Sequence, residues 1–483
     1  MTSARTMAIG LIATLGAAAA AVSASPLASA AAAAGRFIPL SAGHIVFTNT
    51  GLSGPPTTAE CESGKVITGV DLACYRPFQI RDAFDLYPLY SKGNEGQGET
   101  IVIVDSFGSP TVRSDLATFD AAFGLPAPPS FKVIQPVGTV PPCSQDPYGV
   151  GDCEGWGGET TLDVEWSHVI APLANILLVE TPSSETEGVQ GLPDMMTAEN
   201  YVISHHLGDV ISQSFGATEQ TFLHDPQAYG LRSAYINAAQ NGVTVLASSG
   251  DDGATDALCV PSNRDCANFT CCYSMPVTDW PASDPLVTGM GGVELHLDAS
   301  GATTSPPTVW NDPNSLFSPD APGTSGASGG GESIFFSQPG FQSGVASVVN
   351  GRRGVPDISM SAAEDGSVVV YQSGPGGGWG IAAGTSEASP EFAGIIALTD
   401  QMAGHSIGYL NPKLYQLAEA GGDNGIVPIS GGDNTFSFCD PAVTTSCKLV
   451  TVNGFSASGG YNLATGWGTI DAAKFVPALA AMG

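Results

Sequence analysis

Ser386 stands in Gly384-Thr385-Ser386-Glu387-Ala388-Ser389-Pro390, ahead of Glu391-Phe-Ala-Gly394 and an apolar run. A serine hydroxyl at the start of a helix faces the positive end of the helix dipole, where an alkoxide or oxyanion is stabilised, so the position suits a nucleophile. Gly384 leaves room for a substrate backbone, and Pro390, read as lying in the first turn, forfeits no helical hydrogen bond. The plain alternative is a serine N-cap before a core helix. A nucleophilic serine needs a base, and the chain has seven histidines: His44, His168, His205, His206, His224, His296 and His405. His168 is the best placed, on the stretch after Glu159, with Asp105 ending an apolar run upstream. At ~100° per residue it falls about 180° around a helix from Glu159, so one of the two faces a shared site. His168 therefore reads as a helix-surface or packing residue.

Glu159 offers the better base. In Glu159-Thr-Thr-Leu-Asp163-Val-Glu-Trp166 the carboxylates of Glu159 and Asp163 are spaced i, i+4 and project from one side of a helix. Two like charges so close do not both ionise easily: one keeps a proton and the basicity of its partner rises. Glu165, on another face, reads as an ordinary solvated helix acid. A further carboxylate, Asp251, sits in Ala247-Ser-Ser-Gly250-Asp251-Asp252-Gly253, just past an apolar strand. Loops at the carboxyl ends of parallel strands gather over the active site, and a protonated aspartate there donates a hydrogen bond to an oxyanion.

The elements that must carry these groups alternate. Thr100-Ile-Val-Ile-Val-Asp105 is apolar and β-branched throughout, as expected of a strand buried on both faces of a parallel sheet. Similar runs recur at Ile176 to Val179, Val210 to Ile211, Val243 to Ala247 and Val368 to Tyr371. Helical patterns lie between them at Glu159 to Ala171, Ala198 to His206, Leu231 to Gln240 and Ser389 to Met402. Strands alternating with helices predict an α/β fold with one mostly parallel sheet flanked by helices. Residues 252–281, with four cysteines, and 303–332, rich in Pro, Ser and Gly and ending in Ser328-Gly-Gly-Gly331, read as loop insertions.

Residues 1–30 read as a signal peptide: Arg5, an Ala-rich apolar run from Met7 to Val22, then Ala28-Ser29-Ala30. Residues 31–78 form a short segment with few periodic elements, and residues 79–483 a single domain. No other stretch is apolar over the ~20 residues a membrane span needs, so the expected product is secreted and extracellular; a monomer is the expected state. Ten cysteines in an oxidising compartment read as disulfides. Their spacing suggests Cys61–Cys74, Cys143–Cys153 and Cys439–Cys447, with Cys259, Cys266, Cys271 and Cys272 paired among themselves. There are 15 basic against 46 acidic residues, a net charge of −31. That charge repels nucleic acid and anionic membrane, and it relaxes in acid as carboxylates near their ordinary pKa of ~4 lose charge.

Together these motifs resemble the sedolisins, or serine-carboxyl peptidases, over about residues 75 to 480. A Glu-x-x-x-Asp helix (Glu159, Asp163), a Ser-Gly-Asp loop (Ser249-Gly-Asp251) and a nucleophile loop (Ala383-Gly-Thr-Ser386) follow in that family's order. Asp163-Val-Glu-Trp-Ser-His-Val-Ile-Ala-Pro172, Ser214-Phe-Gly216, Arg353-Gly-Val-Pro-Asp357 and Tyr461-Asn-Leu-Ala-Thr-Gly-Trp-Gly468 also look like it. The resemblance implies a subtilisin-like fold and acid-acting endopeptidase activity on polypeptides. Ser386 would be the nucleophile, Glu159 the general base and acid, Asp163 its partner and Asp251 the oxyanion-hole acid. Ser214 and Gly216 would bind the substrate main chain as an added strand. One structural calcium ion would be held by Asp440, the carbonyl of Pro441, Ser458, Gly460 and position 462. Three departures stand out: about 50 residues where the family carries a large propeptide, Ala383 for Gly or Ser, and Asn462 for an aspartate. Loss of that carboxylate should weaken calcium binding. Two rival readings remain, a His-dependent subtilisin-type peptidase using Asp105 and His168, and a non-catalytic binding protein on a peptidase scaffold.

Overall fold

Strand β3 (Thr100–Ser106) is an interior strand of the large sheet, and its six residues after Thr100 are all buried. The computed structural model describes residues 52–67, 70–145, 153–185, 189–222, 230–256, 273–315, 325–373, 377–438 and 448–483, with the backbone alone at 45–47, 150–152, 228–229 and 439. The signal-peptide reading of residues 1–30 falls outside them.

In chain order the strands that matter are β1 (Ile45–Phe47), β2 (Cys74–Tyr75), β3, β4 (Phe131–Ile134), β5 (Asn175–Thr181), β6 (Val210–Gln213), β7 (Ala217–Thr218), β8 (Thr244–Ser248) and β9 (Asp279–Trp280). They continue with β10 (Thr288–Leu297), β11 (Thr303–Val309), β12 (Ile358–Ser361), β13 (Ser367–Gln372) and β14 (Gly378–Ala382). The helices are α1 (Val112–Phe123), α2 (Val150–Ile170), α3 (Leu192–Ser204), α4 (Ser233–Asn241), α5 (Thr385–Ala403) and α6 (Ala472–Ala480).

The large sheet has eight strands in the order β11-β10-β8-β6-β3-β5-β4, with β12 also paired to β10. All its pairings are parallel except that of the edge strand β11 with β10. Alternation along β3 sends Ile101 and Ile103 to one face, where they join Leu162 and Trp166 of α2 and Phe392 and Ile396 of α5. Val102 and Val104 point to the other face, among Met195 and Val202 of α3 and Tyr235 and Ala238 of α4. The result is a three-layer α/β/α sandwich, as the alternating pattern predicts.

Four features differ from the sequence reading. The run Val368 to Tyr371 is not in the large sheet: it is β13 of a second, four-stranded sheet ordered β1-β14-β13-β2. It pairs antiparallel with its sequence neighbour β14, and an apolar run carries no mark of which sheet it joins. The short segment before residue 79 supplies two strands of the same sheet, β1 on β14 and β2 on β13. Residues 303–309, read as loop, form the edge strand β11, where Pro306 and Pro307 are tolerated because an edge strand leaves some N–H positions unpaired. Helices α2 and α5 begin nine and four residues earlier than their apolar periodicity shows. Both are buried nearly all round at the site, which erases the amphipathic signal.

Disulfides Cys61–Cys74 and Cys143–Cys153 are present as expected, the second tying the segment ahead of α2 to its first turn. The other proposed pairings lie outside the described residues. No helix among the described residues is long and apolar enough to cross a membrane.

Candidate active site

Helix α5 begins at Thr385, so Ser386 is its second residue, fully buried. Pro390 is the sixth residue, in the second turn rather than the first, and it has no N–H to give the carbonyl of Ser386 four residues back. The Ser214 hydroxyl lies 3.2 Å from that carbonyl and 2.7 Å from Asp163 Oδ1, and its one hydrogen serves either of them. The proline thus opens the helix ladder at Ser386, and the loop after β6 lies against the gap.

The Ser386 hydroxyl faces Glu159 as a hydrogen-bond donor. The contact is looser than a closed hydrogen bond, since neither Glu159 oxygen has a partner in standard geometry. Such contacts tighten when a substrate arrives. Glu159 and Asp163 are both fully buried on α2, and Asp105, at the carboxyl end of β3, completes a cluster with them. Burial raises the Glu159 carboxyl well above the ordinary range, and the charges of Asp163 and Asp105 push it further. Asp163 is raised by burial and by Asp105, against the Ser214 hydrogen bond, which favours its ionised form. Asp105 is raised by burial to about 7, with Glu180, its register partner on β5, adding to the effect. Carboxyls so placed share protons and cannot all ionise together.

Asp251 follows the end of β8. Burial lifts its carboxyl to about 7, against two hydrogen bonds from Thr385 that favour the ionised form. Its loop is fixed by the segment that ends in three glycines. The Ser249 hydroxyl donates to Gly329 O at 2.8 Å, Gly329 N–H to Gly250 O at 2.7 Å, and Ala327 N–H to Asp251 O at 2.8 Å. A side chain at Gly329 would collide with the backbone of Ser249 and Gly250, so only glycine permits this approach.

Ser386, Glu159, Asp163, Asp251 and Ser214 thus converge at the carboxyl ends of the parallel strands, where open α/β sheets place their sites. Gly216 lies two residues beyond Ser214, packed on the carbonyl of Trp280 in β9. Sequence reasoning set Asp105 beside His168, whereas the structure sets it beside Glu159 and Asp163; its place at a strand end was the signal. Thr385 and the glycine segment were missed as parts of the site, although Thr385 adjoins Ser386. His168 is fully buried, its Nε2 2.8 Å from Pro126 O and 3.4 Å from Asp120 Oδ1, so it is a packing residue. Burial lowers its pKa to about 4. Glu165 is also buried rather than solvated, and accepts the Tyr371 N–H at 3.0 Å, because the second sheet closes over α2.

The expected calcium ligands fit poorly where they are described. Asn462 Oδ1 accepts the N–H groups of Ala464 and Thr465 at 3.0 and 2.9 Å and the Thr465 hydroxyl at 3.2 Å, which fills its lone pairs. Its Nδ2 donates to Gly460 O at 3.1 Å. Asn462 closes its own turn with this side chain. Ser458 is exposed, and Asp440 and Pro441 lie outside the described residues. No group of three or more His, Cys, Asp or Glu suited to a metal ion occurs among the described residues.

No family model matches the chain. Kumamolisin of Bacillus sp. (strain MN-32) is 31% identical over 350 residues, covering 71% of this chain and 55% of that protein. Sedolisin of Pseudomonas sp. (strain 101) is 28% identical over 375 residues, covering 78% and 57%. The chain therefore spans a little over half the length of these curated relatives. Among solved structures, Pseudomonas sedolisin, a serine-carboxyl proteinase complexed with two molecules of pseudo-iodotyrostatin, superposes with a TM-score of 0.66 at 26% identity. It matches 84% of this chain and 98% of that one. With the carboxyl cluster and the serine at the helix start already in place, these likenesses lead to one conclusion: the chain belongs to the sedolisin family.

Proposed function

We propose that the protein is a secreted, monomeric serine endopeptidase that cleaves polypeptides in acid. The observation that carries this reading is the position of Ser386, which opens onto the buried Glu159 carboxyl and not onto an imidazole. The Ser386 oxygen attacks the scissile carbonyl carbon while its proton passes to Glu159, whose partner Asp163 keeps the other proton of the pair. Asp251, protonated, donates a hydrogen bond to the oxyanion. Glu159 then returns its proton to the departing amine, leaving an acyl-enzyme. Water attacks that ester, gives its proton to Glu159, and releases Ser386 as Glu159 passes the proton back. Ser214, whose hydroxyl reaches the Ser386 carbonyl, and Gly216 two residues further would bind the substrate main chain as an added strand. Both requirements, a shared proton on the pair and a neutral Asp251, are met in acid and lost as pH rises through the folded-state values.

The test is a pH–rate profile of the purified protein on an unfolded protein substrate. An optimum between roughly pH 3 and 5 is expected. An optimum near pH 8 overturns the assignment of both carboxyl roles.

A further inference from the structure

The two oxygens of Asp251 are not equivalent. Oδ1 receives the backbone N–H of Thr385 at 2.7 Å and the Thr385 hydroxyl at 2.9 Å. Oδ2 is buried and has no hydrogen-bond partner among the described residues. A backbone N–H can only donate, so the oxygen facing it must offer a lone pair and is the poorer seat for the acidic proton. The Thr385 hydroxyl is itself held in place: it accepts the Gly250 N–H at 3.2 Å, and its hydrogen is left for Asp251 Oδ1 at 2.9 Å or Gly250 O at 3.1 Å. Thr385 and Gly250 are both fixed, one by the start of α5 and the other by the Gly329 bond, so this arrangement is rigid.

We propose that Thr385 is a positioning residue that sets which oxygen of Asp251 carries the proton, turning Oδ2–H toward the oxyanion that forms at the neighbouring Ser386. The proposal rests on the serine-peptidase reading above and adds to it the residue that makes Asp251 a donor rather than an acceptor. A carboxyl without this restraint places its proton on either oxygen and rotates, and half of those states put a lone pair against the oxyanion. No bond to Asp251 is made or broken in the step: Oδ2–H is shared with the new oxyanion, while the Ser386 proton goes to Glu159. Thr385, one residue before the nucleophile, thereby gives the two loops a common register.

Kinetics of Thr385→Val and Thr385→Ser in the full-length protein test this, with Thr385→Ala in place of the valine variant if the latter fails to melt cooperatively. Removing one oxyanion donor from a peptidase costs ~10²–10³ in kcat. A disordered donor loses part of that, so Thr385→Val should lower kcat about tenfold or more with KM little changed, and Thr385→Ser should recover most of the loss. The pH profile distinguishes positioning from general damage. The Thr385 hydroxyl bond favours the ionised carboxyl, so its removal should move the alkaline limb of kcat/KM upward while the rate falls. A valine variant within about twofold of the parent, or an alkaline limb that stays put or moves down with serine and valine equally impaired, overturns the proposal. Ser386→Ala run alongside separates the two levels: near-parental activity there defeats the serine-nucleophile reading itself, whatever Thr385 does.

Discussion

At Ser386 the burial of every partner sets the chemistry. Ser386→Ala should abolish peptide cleavage, by ~10⁴-fold or more, with an unchanged melting curve; a variant that still cleaves at near the parental rate removes the nucleophile assignment. Ser214 has a subtler part, because its hydroxyl reaches both Asp163 and the carbonyl that Pro390 leaves open. With Asp163 protonated in acid this is a hydrogen bond between neutral groups, worth about 0.5–1.5 kcal/mol, so Ser214→Ala should cost about two- to tenfold in kcat. Loss of less than about twofold would mean that a water or another donor replaces it. His168 predicts the opposite pattern. Its ring is enclosed by Pro126 and Asp120, so His168→Ala should lower thermal stability by about 1–3 kcal/mol and leave kcat/KM within about threefold. A collapse of activity in a folded His168→Ala protein would revive the histidine-dependent reading.

Helix α5 carries a second carboxyl pair that the chemistry does not use. Glu387 and Glu391, at i and i+4, are fully buried, and Ser361 of β12 is the polar group beside both. Burial pushes both well above the ordinary carboxyl range, and Glu387 raises Glu391 further. A raised folded-state pKa means stability that is complete below the unfolded value of 4.5 and is lost as pH climbs through the folded-state value. The helix that carries Ser386 is therefore held best in acid. The double substitution Glu387→Gln with Glu391→Gln should raise the melting temperature at pH 7 and change it little at pH 4. Equal shifts at both values would show that the pair titrates in the folded protein as it does in the unfolded chain. The turn at Asn462 behaves differently. Its side chain closes its own loop, so Asn462→Ala should lower the melting temperature equally with calcium and with chelator, and calcium should shift the parent little. A large calcium-dependent rise in the parent would return position 462 to the ligand set.

Over the whole molecule the buried acids act in one direction. Burial lifts Glu99, Asp105, Asp120, Asp251 and Glu294 to about 7 and Asp400 to about 8. Each binds a proton in the folded state that the unfolded chain releases near pH 4, so stability falls as pH rises from there toward 8. His168 opposes them: held near 4, it lets the unfolded chain take up a proton below its ordinary 6.5 that the folded protein refuses. One such group does not balance the acids, and the net charge of −31 adds repulsion at neutral pH. The melting temperature should be higher at pH 4 than at pH 7.5, by roughly 10 °C or more. A higher value at neutral pH would show that the buried acids ionise in the folded protein with compensation from elsewhere.

The sequence by itself determined what short range can encode. The i, i+4 spacing put Glu159 and Asp163 on one side of a helix, the apolar runs announced the parallel strands, and the chain context of Ser386 and Asp251 placed both at strand or helix ends. These are properties of neighbouring residues, and neighbours are legible. Tertiary structure alone decided what depends on the atoms packed above each element. It joined Asp105 to Glu159, buried Glu165, Glu387 and Glu391, made residues 303–309 an edge strand and moved 367–372 into a second sheet. It also set Pro390 in the second turn of α5, where the Ser386 carbonyl turns to Ser214. Burial and pairing are contacts between segments far apart in the chain, so the same carboxyl reads as solvated or as protonated according to which sheet closes over it.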